Sequence, residues 1–270
     1  MERITFVAFD VETTGLFPVN DRLVELAGVK FRTGQILDTF DELIDPKIPI
    51  PADVSRLHGI TNEMVAGRPN AEAVVSRFLR FIAPHSEEVC LLAHNAGFDV
   101  NFVGFEISRM KRSYPPHPIL DTLELARNQL YLNSYKLEMV AQALQVRHPN
   151  AHRALADSLM VKGIFEGLTQ RISNLQQLAR QTRVLTFADC EAQVVEPPRG
   201  YESLAEAIET GHSITMIYLG GSQGTHPRRV TPHNLVRMQE TIYLSGHCHI
   251  DGVEKAFQLD RIRHFEVEPG

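Results

Sequence analysis

Cysteine is scarce in this chain: Cys90, Cys190 and Cys248 are the three cysteines among 270 residues. An odd number of widely spaced cysteines does not form a disulfide framework and is typical of reduced thiols inside a cell. The sequence also lacks an apolar run long enough to span a bilayer. Because Met1 to Arg3 lead directly into the first predicted strand, we expect no signal peptide, a cytoplasmic protein and no membrane partner.

Basic residues are too few to give the chain a positive charge. Its 27 lysines and arginines stand against 33 aspartates and glutamates, a formal net charge of −6. Such a chain is not expected to bind nucleic acid tightly through charge alone. If four of the acidic residues held two divalent cations, simple counting would leave about −2. A nucleic-acid enzyme that uses local lysines and arginines remains compatible with this composition.

The first acidic motif lies in the segment FDVETTG, residues 9–15. The apolar run from Ile4 to Phe9 predicts a buried strand that ends near Asp10. Since side chains alternate along a strand, Asp10 and Glu12 project from the same face. Two neighbouring carboxylates favour a hard divalent cation such as Mg²⁺ or Mn²⁺. Taken alone, an ordinary turn at a strand end explains this motif equally well.

The second motif, HNAGFD at residues 94–99, follows another apolar run. It begins a predicted helix that continues through Phe105, so Asp99 falls in the first helical turn. A carboxylate at that position interacts favourably with the helix dipole even without any catalytic role.

The third motif is HRALADS, residues 152–158. In a helix, residues five apart point about 140° away from each other, so His152 and Asp157 cannot face one site from the same helix. We therefore predict that His152 lies on the loop before a helix that contains Asp157. A histidine titrates near neutral pH, and one placed above a metal ligand suits a general base.

Together, these segments resemble the three exonuclease motifs of the DEDD superfamily. The His-x4-Asp spacing of the third resembles the DEDDh branch, which includes proofreading subunits of replicative DNA polymerases. The resemblance extends over about residues 1–170 and includes HGIT at 58–61 and SYKLEMVAQAL at 134–144. It implies an α/β, ribonuclease-H-like domain with a mixed sheet. The sequence agrees, with an antiparallel start near residues 4–45 and helix-flanked strands later.

The resemblance also implies roles for the acidic residues. Asp10, Glu12 and Asp157 would bind two Mg²⁺ or Mn²⁺ ions, Asp99 would contribute directly or through water, and His152 would deprotonate the attacking water. The expected reaction removes nucleoside 5′-monophosphates from the free 3′ end of a nucleic acid, in the first instance single-stranded DNA. Other residues of the first two motifs are the predicted substrate contacts: Thr13, Thr14, Gly15, His94, Asn95 and Phe98.

A second domain is predicted after the exonuclease segment. VVEPPRG, at residues 194–200, is typical of an interdomain linker. We therefore predict domains at 1–185 and 201–270, joined by a linker at 186–200. The tail combines a helix near 201–210 with several short strand candidates: SITMIYL, RRVTPHNLVRM, TIYLSGHCHI and KAFQLDRI.

This tail resembles a WYL domain, a small, strand-rich, SH3-like fold found in bacterial regulators. One departure is that Ile242 replaces the tryptophan of the motif, and the chain contains no tryptophan. WYL domains bind nucleic acids or small ligands, so the tail arginines are candidate phosphate contacts. Pairing with nearby acids explains these arginines equally well, because residues 201–270 carry six basic and nine acidic side chains. The candidates are Arg228, Arg229, Arg237, Arg261 and Arg263.

Three functions remain open from the sequence. The first is a 3′–5′ exonuclease on single-stranded DNA, and the second is a ribonuclease that trims RNA or short oligonucleotides by the same chemistry. The third is a regulatory protein whose tail senses a nucleotide or nucleic acid. Matched DNA and RNA strands separate the first two, and removal of the chain after about residue 185 tests the third.

Overall fold

The computed structural model describes residues 3–83, 88–146, 153–170, 172, 174–219 and 226–268. The chain divides into two compact units. The first contains Met1–Leu16 and Arg22–Cys190, and the second contains Phe17–Asp21 and Glu191–Gly270. Within the described ranges, no helix is both long enough and apolar enough to span a bilayer.

The first unit is built on a mixed sheet. Its strands are β1 (Ile4–Thr13), β2 (Leu23–Arg32), β3 (Gln35–Leu43), β4 (Glu88–Ala93), β5 (Ile119–Asp121) and β6 (Val184–Leu185). The spatial order is β3-β2-β1-β4-β5-β6. The first three strands form an antiparallel meander, β4 and β5 run parallel to β1, and β6 runs antiparallel to β5. This arrangement confirms the predicted α/β fold class and its antiparallel start.

Helices cover both faces of this sheet. They are α1 (Ala52–His58), α2 (Asn62–Val65), α3 (Ala71–Ile82), α4 (Gly97–Arg109), α5 (Thr122–Gln129), α6 (Leu137–Ala143), α7 (Ala154–Thr169) and α8 (Leu175–Ala179). The sequence motifs predicted α4 and α7, which carry Asp99 and Asp157. They did not predict α1 to α3, of which α1 has seven residues and α2 has four.

Alternation along β1 decides which way its acidic residues point. Val7 and Phe9 belong to the apolar core that includes residues of α3 and α4. Phe6 and Ala8 belong to the opposite core, which includes residues of α7. Because side chains alternate, Asp10 and Glu12 continue the face of Phe6 and Ala8, toward the helix that carries Asp157.

The segment after β6 completes the core of the first unit. Residues Phe187–Asp189 form a 3₁₀ helix that Thr186 and Asp189 cap reciprocally. Phe187 is fully buried, and the centroid of its ring lies 5.8 Å from that of Phe9. The predicted linker at 186–200 thus contains core residues of the first unit, and residues 192–194 pair with a strand of the second. The other predicted domain limits stay a prediction.

The second unit is a small strand-rich module, which confirms the predicted class of the tail. Its elements are β7 (Ala192–Val194), α9 (Glu202–Thr210), β8 (Ile214–Tyr218), β9 (Arg228–Met238), β10 (Thr241–Cys248), β11 (Val253–Gln258) and β12 (Ile262–Val267). The sheet order is β11-β10-β9-β8-β12, with β7 beside β9. Leu204 and Ala207 of α9 pack into the core of this unit. Gly220 and Gly221, a glycine pair that predicts a turn after the strand candidate SITMIYL, lie outside the described residues.

Gly104 allows α4 to approach the 3₁₀ helix closely. A Cβ atom at Gly104 would lie 2.6 Å from the Phe187 carbonyl oxygen and 2.7 Å from Cys190 Cβ. We expect Gly104→Ala to lower the free energy of unfolding by about 1–3 kcal/mol, because the backbone must shift to relieve the overlap. Urea unfolding measures this change. The control is Gly97→Ala on the same helix, where a Cβ meets nothing within 4 Å. Equal stability of the two variants would contradict the close approach.

Candidate active site

Three carboxylates meet where β1 ends. Asp10 and Glu12 come from the last part of β1, and Asp157 comes from the first turn of α7. One carboxylate oxygen of each residue lies within 4.8 Å of the other two. All three side chains are half-buried, so the cluster can be reached from solvent. The structure therefore brings together three of the four acidic residues predicted to bind metal in one compact donor set.

Crowding and burial make the charged form of these groups unfavourable. Burial, followed by the negative charges of Asp99, Glu12 and Asp157, raises the pKa of Asp10 well above its usual range. Burial and then Asp157 raise the pKa of Glu12 to about 8. A positive charge placed among the oxygens would reverse this effect, since it favours the ionised form of each carboxylate.

Asp99 lies in the first turn of α4 and is 2% exposed. Its Oδ1 atom is buried and has no hydrogen-bond partner among the residues described. Burial raises the pKa of Asp99 well above its ordinary value, although the backbone amides of Asp99 and Val11 oppose the shift. Asp99 is near enough to Asp10 to raise the pKa of that residue as well. The fourth predicted acidic residue thus belongs to the same electrostatic cluster.

The donor set fits a hard divalent cation. Carboxylate oxygens are the ligands that Mg²⁺ prefers, and Mn²⁺ accepts the same donors. The buried Oδ1 of Asp99 offers a further oxygen, which accepts no hydrogen bond from any residue in the described ranges. Asp10, Glu12, Asp99 and Asp157 therefore form a cluster suited to hold metal, which the predicted chemistry requires.

The turn between β4 and α4 is held by Asp121, a residue that the sequence motifs did not reveal. Its Oδ1 accepts the backbone N–H of Asn95 at 2.9 Å, and its Oδ2 accepts that of Ala96 at 3.2 Å. Asn95 has a φ of +66°, a left-handed conformation that asparagine tolerates well. Asp121 also caps α5 by accepting the N–H of Leu123. A lone acidic residue directly after a short apolar strand was the available signal.

The predicted substrate contacts of the second motif differ in exposure. Asn95 is exposed, and Phe98 is half-buried with its ring centroid 5.0 Å from that of Phe102. His94 has both ring nitrogens engaged: Nε2 lies 2.8 Å from the Tyr135 carbonyl oxygen and Nδ1 lies 3.0 Å from Thr122 Oγ1. Burial lowers the pKa of His94. These two contacts fix the orientation of the His94 ring. Contact between His94 and substrate stays a prediction.

The last three residues of the first motif form an ordered turn. Thr13 is buried, and its hydroxyl donates to the Gly15 carbonyl oxygen. Thr14 is buried as well, and its hydroxyl accepts the backbone N–H of Arg22 at 3.0 Å. Gly15 is half-buried. Both hydroxyls therefore shape the turn, and a role in binding substrate stays a prediction.

His152, the predicted general base, lies outside the described residues. Its neighbour Arg153 is the last residue before α7 and forms an ion pair with Glu25 of β2, which is 0% exposed. Glu25 also accepts the backbone N–H of Ala154 at 2.9 Å. The sequence analysis missed this pair. The available signal was Glu25 itself, a single charge inside the buried apolar strand LVELAGV.

The five candidate arginines of the tail divide into one buried and four exposed residues. Arg228 is 3% exposed, and its guanidinium lies 5.8 Å from the Tyr218 ring and 6.0 Å from the Phe257 ring. Arg229, Arg237, Arg261 and Arg263 are exposed. Arg229 pairs with Glu268, with 2.8 Å between Nε and Oε2. Nucleic-acid contacts by these arginines stay a prediction, and the exposed residues are better placed for them than Arg228.

Comparison with protein families agrees with the geometry of the cluster. A family model described as "Exonuclease" matches residues 7–165, more than half of the chain. The chain therefore belongs to this exonuclease family, whose members hydrolyse phosphodiester bonds. A model of the WYL domain matches residues 200–267. Both resemblances inferred from the sequence are confirmed.

The curated relatives are much longer proteins. The PolC-type DNA polymerase III of Caldanaerobacter subterraneus is 37% identical over 172 residues, which cover 63% of this chain and 12% of that protein. The PolC-type DNA polymerase III of Clostridium perfringens is 39% identical over 155 residues, which cover 57% of this chain and 10% of that protein. The chain thus spans about a tenth of the length of the curated relatives it matches.

Solved structures share the fold. Exonuclease X in complex with 5′ overhanging duplex DNA superposes with a TM-score of 0.52 at 25% identity, covering 66% of this chain and 98% of that chain. The zinc-bound complex of Escherichia coli exonuclease I with single-stranded DNA gives a TM-score of 0.58 at 18% identity, covering 87% of this chain and 54% of that chain.

The raised pKa of Glu12 predicts how metal and pH act on stability. In chelator, the folded protein holds a proton on Glu12 more tightly than the unfolded chain does, because its pKa is about 8 instead of 4.5. The stability that this proton contributes is complete below pH 4.5 and is lost as pH rises through about 8. Glu12→Gln mimics the protonated form. We therefore expect wild type to become less stable than Glu12→Gln between pH 5 and pH 8, by on the order of 5 °C in melting temperature.

We expect Mn²⁺ to reverse the order at pH 8, since binding to the ionised cluster of the folded protein would stabilise wild type. The measurement is thermal unfolding with chelator or Mn²⁺ at each pH. Glu209→Gln, an exposed change on α9, is the control and should follow wild type throughout. Parallel curves for wild type and Glu12→Gln in chelator would contradict the predicted effect of burial.

Proposed function

We propose that this chain is a metal-dependent 3′–5′ exonuclease that releases nucleoside 5′-monophosphates from the 3′ end of single-stranded DNA. The observation that carries the proposal is the cluster of Asp10, Glu12 and Asp157, whose oxygens lie within 4.8 Å of one another beside buried Asp99. A single aspartate would serve many purposes. Four carboxylates from three separate segments have few uses other than binding cations.

Each acidic residue has a defined place in this proposal. Asp10, Glu12 and Asp157 would hold the cations, and Asp99 would bind one directly or through water. When bound, two Mg²⁺ or Mn²⁺ ions would activate the attacking water and neutralise the charge that builds up at the scissile phosphate. His152 takes the proton of the attacking water, as its place directly before Arg153 at the start of α7 suggests.

The relatives support DNA as the substrate. The matching segments of the curated relatives belong to DNA polymerases. Two similar structures are complexes with DNA, one single-stranded and one a duplex with a 5′ overhang. A 3′-exonuclease bound to a histone mRNA stem-loop shares the fold at 16% identity, so RNA remains the alternative that the first experiment must address.

The direct test is a time course with 5′-labelled DNA and RNA of one sequence, in Mg²⁺, Mn²⁺ or chelator. We expect a ladder that shortens from the 3′ end, depends on metal and forms faster on DNA. Asp10→Asn should slow it by more than about a hundredfold, because loss of a ligand exceeds the effect of losing an outer-shell partner.

The matched control is Asp38→Asn, which removes one exposed carboxylate from β3 of the same unit. Asp38→Asn should cleave DNA at the wild-type rate. A circular single strand, which has no 3′ end, should remain intact with either wild type or Asp38→Asn. Faster cleavage of RNA than of DNA would mean that RNA is the preferred substrate, which contradicts the proposed DNA substrate. No cleavage of either strand in any metal would overturn it and favour a binding role for the tail.

His152 gives a separate prediction. As general base, it should make the rate rise with pH around its ordinary pKa of about 6.5. His152→Gln should lower kcat by about 10²–10⁴-fold and flatten that rise, with little change in Mn²⁺ affinity. A pH–rate profile for both proteins measures this. The control, His264→Gln, changes an exposed histidine of the second unit. If His152→Gln keeps the wild-type pH–rate profile, His152 is not the general base.

A further inference from the structure

We propose that Glu25 is a positioning residue of the exonuclease site, which holds the start of α7 so that Asp157 faces Asp10 and Glu12. This inference rests on the proposed function, because it takes Asp157 as a metal ligand. Glu25 itself is not placed among the groups that touch metal or substrate. It acts through Arg153 and the first turn of α7.

The position of Glu25 follows from strand pairing. In the antiparallel pair of β1 and β2, Glu25 lies directly opposite Glu12. Residues directly opposite each other in such a pair project from the same face of the sheet. Glu25 is therefore a fifth carboxylate beside the cluster, and its charge raises the pKa values of Asp10 and Glu12. Glu25 is 0% exposed and has a cationic partner.

The partner is Arg153, which engages Glu25 with two of its nitrogens. Its Nε lies 3.0 Å from Oε1 and 3.1 Å from Oε2, and its Nη2 also donates to Oε1. A guanidinium is planar and always charged, so this bidentate geometry fixes both side chains in orientation. Arg153 follows His152 directly in the chain and is the last residue before α7.

A second contact ties the same carboxylate to the helix itself. Oε2 of Glu25 accepts the backbone N–H of Ala154, the first residue of α7. This N–H has no partner within the helix, and the N-cap residue supplies no side-chain hydrogen bond. Farther along, Ser158 Oγ lies 3.4 Å from the Ala27 carbonyl oxygen of β2. Asp157 therefore lies between two places where α7 is joined to β2.

The arrangement explains why an acidic residue occupies a site already crowded with negative charge. A neutral residue at position 25 would reduce repulsion within the cluster, yet Glu25 is present and neutralised by Arg153. Its useful property is thus the fixed link between β2 and α7. A link that orients a ligand supports metal binding in the way that outer-shell hydrogen bonds do, where losses of about 10–100-fold are common.

The test replaces both partners at once, Glu25→Leu with Arg153→Met. The net charge is unchanged, and replacing a buried ion pair by apolar residues is often neutral for stability, so the melting temperature should stay within about 5 °C of wild type. We expect Mn²⁺ affinity without substrate to fall about tenfold or more, and kcat on single-stranded DNA to fall similarly with KM within about threefold.

The matched control is Glu42→Leu with Arg77→Met. That pair also joins a strand to a helix, β3 to α3, through a bidentate contact in the same unit. It should keep Mn²⁺ affinity and kcat within about twofold of wild type. Equal losses in both double variants would mean a general effect of lost ion pairs and would overturn the inference. Wild-type Mn²⁺ affinity and kcat in the Glu25 double variant would overturn it too.

If the Glu25 double variant fails to fold, Arg153→Lys replaces it. Lysine keeps the charge but cannot form the planar, bidentate contact, so kcat and Mn²⁺ affinity should still fall. Wild-type values in Arg153→Lys would then reject the role of Glu25. Failure of the proposed function looks different: wild type would bind Mn²⁺ and cleave no strand, while the double variant would still bind Mn²⁺ more weakly.

Discussion

Repulsion among carboxylates is the constraint on which this structure depends. Asp10, Glu12, Asp99 and Asp157 are brought so close together that burial and mutual repulsion raise the pKa values of Asp10, Glu12 and Asp99. Such an arrangement is unfavourable without cations. Because a bound cation relieves the repulsion, the same close spacing of the carboxylates favours cation binding. The fold must therefore hold the four side chains in place before any metal arrives.

Several elements share this task. The packing of both faces of β1 fixes Asp10 and Glu12, and two helices present Asp99 and Asp157 in their first turns. The positive end of a helix partly compensates an acidic residue there. Asp121 fixes the turn before α4 from outside the cluster. These contacts place the donors in advance, so little reorganisation is left for the moment of binding.

The sequence predicts those parts of the site that depend on local periodicity. Alternation along a strand was enough to pair Asp10 with Glu12, and the spacing of the third motif was enough to put Asp157 in a helix. Glu25 could not be found this way, because its partner Arg153 lies 128 positions later in the chain. Asp121 acts on Asn95 from 26 positions away. In the fold, α1, α2 and the 3₁₀ helix after β6 were missed because short elements depend on tertiary packing more than on pattern. The reason does not apply to α3, whose buried Val74, Val75, Phe78 and Ile82 follow helical spacing and predict a helix.

The burial of Phe187 has a consequence for the order in which the protein is made. Its ring packs on Phe9, directly beside Asp10, although 177 residues separate Phe187 from that aspartate along the sequence. Within the first unit, the strand that carries the first acidic motif is synthesised before Phe187. The core behind that strand therefore closes only when the last residues of the unit have emerged. A nascent chain that has just completed its third motif is therefore still an unfinished enzyme.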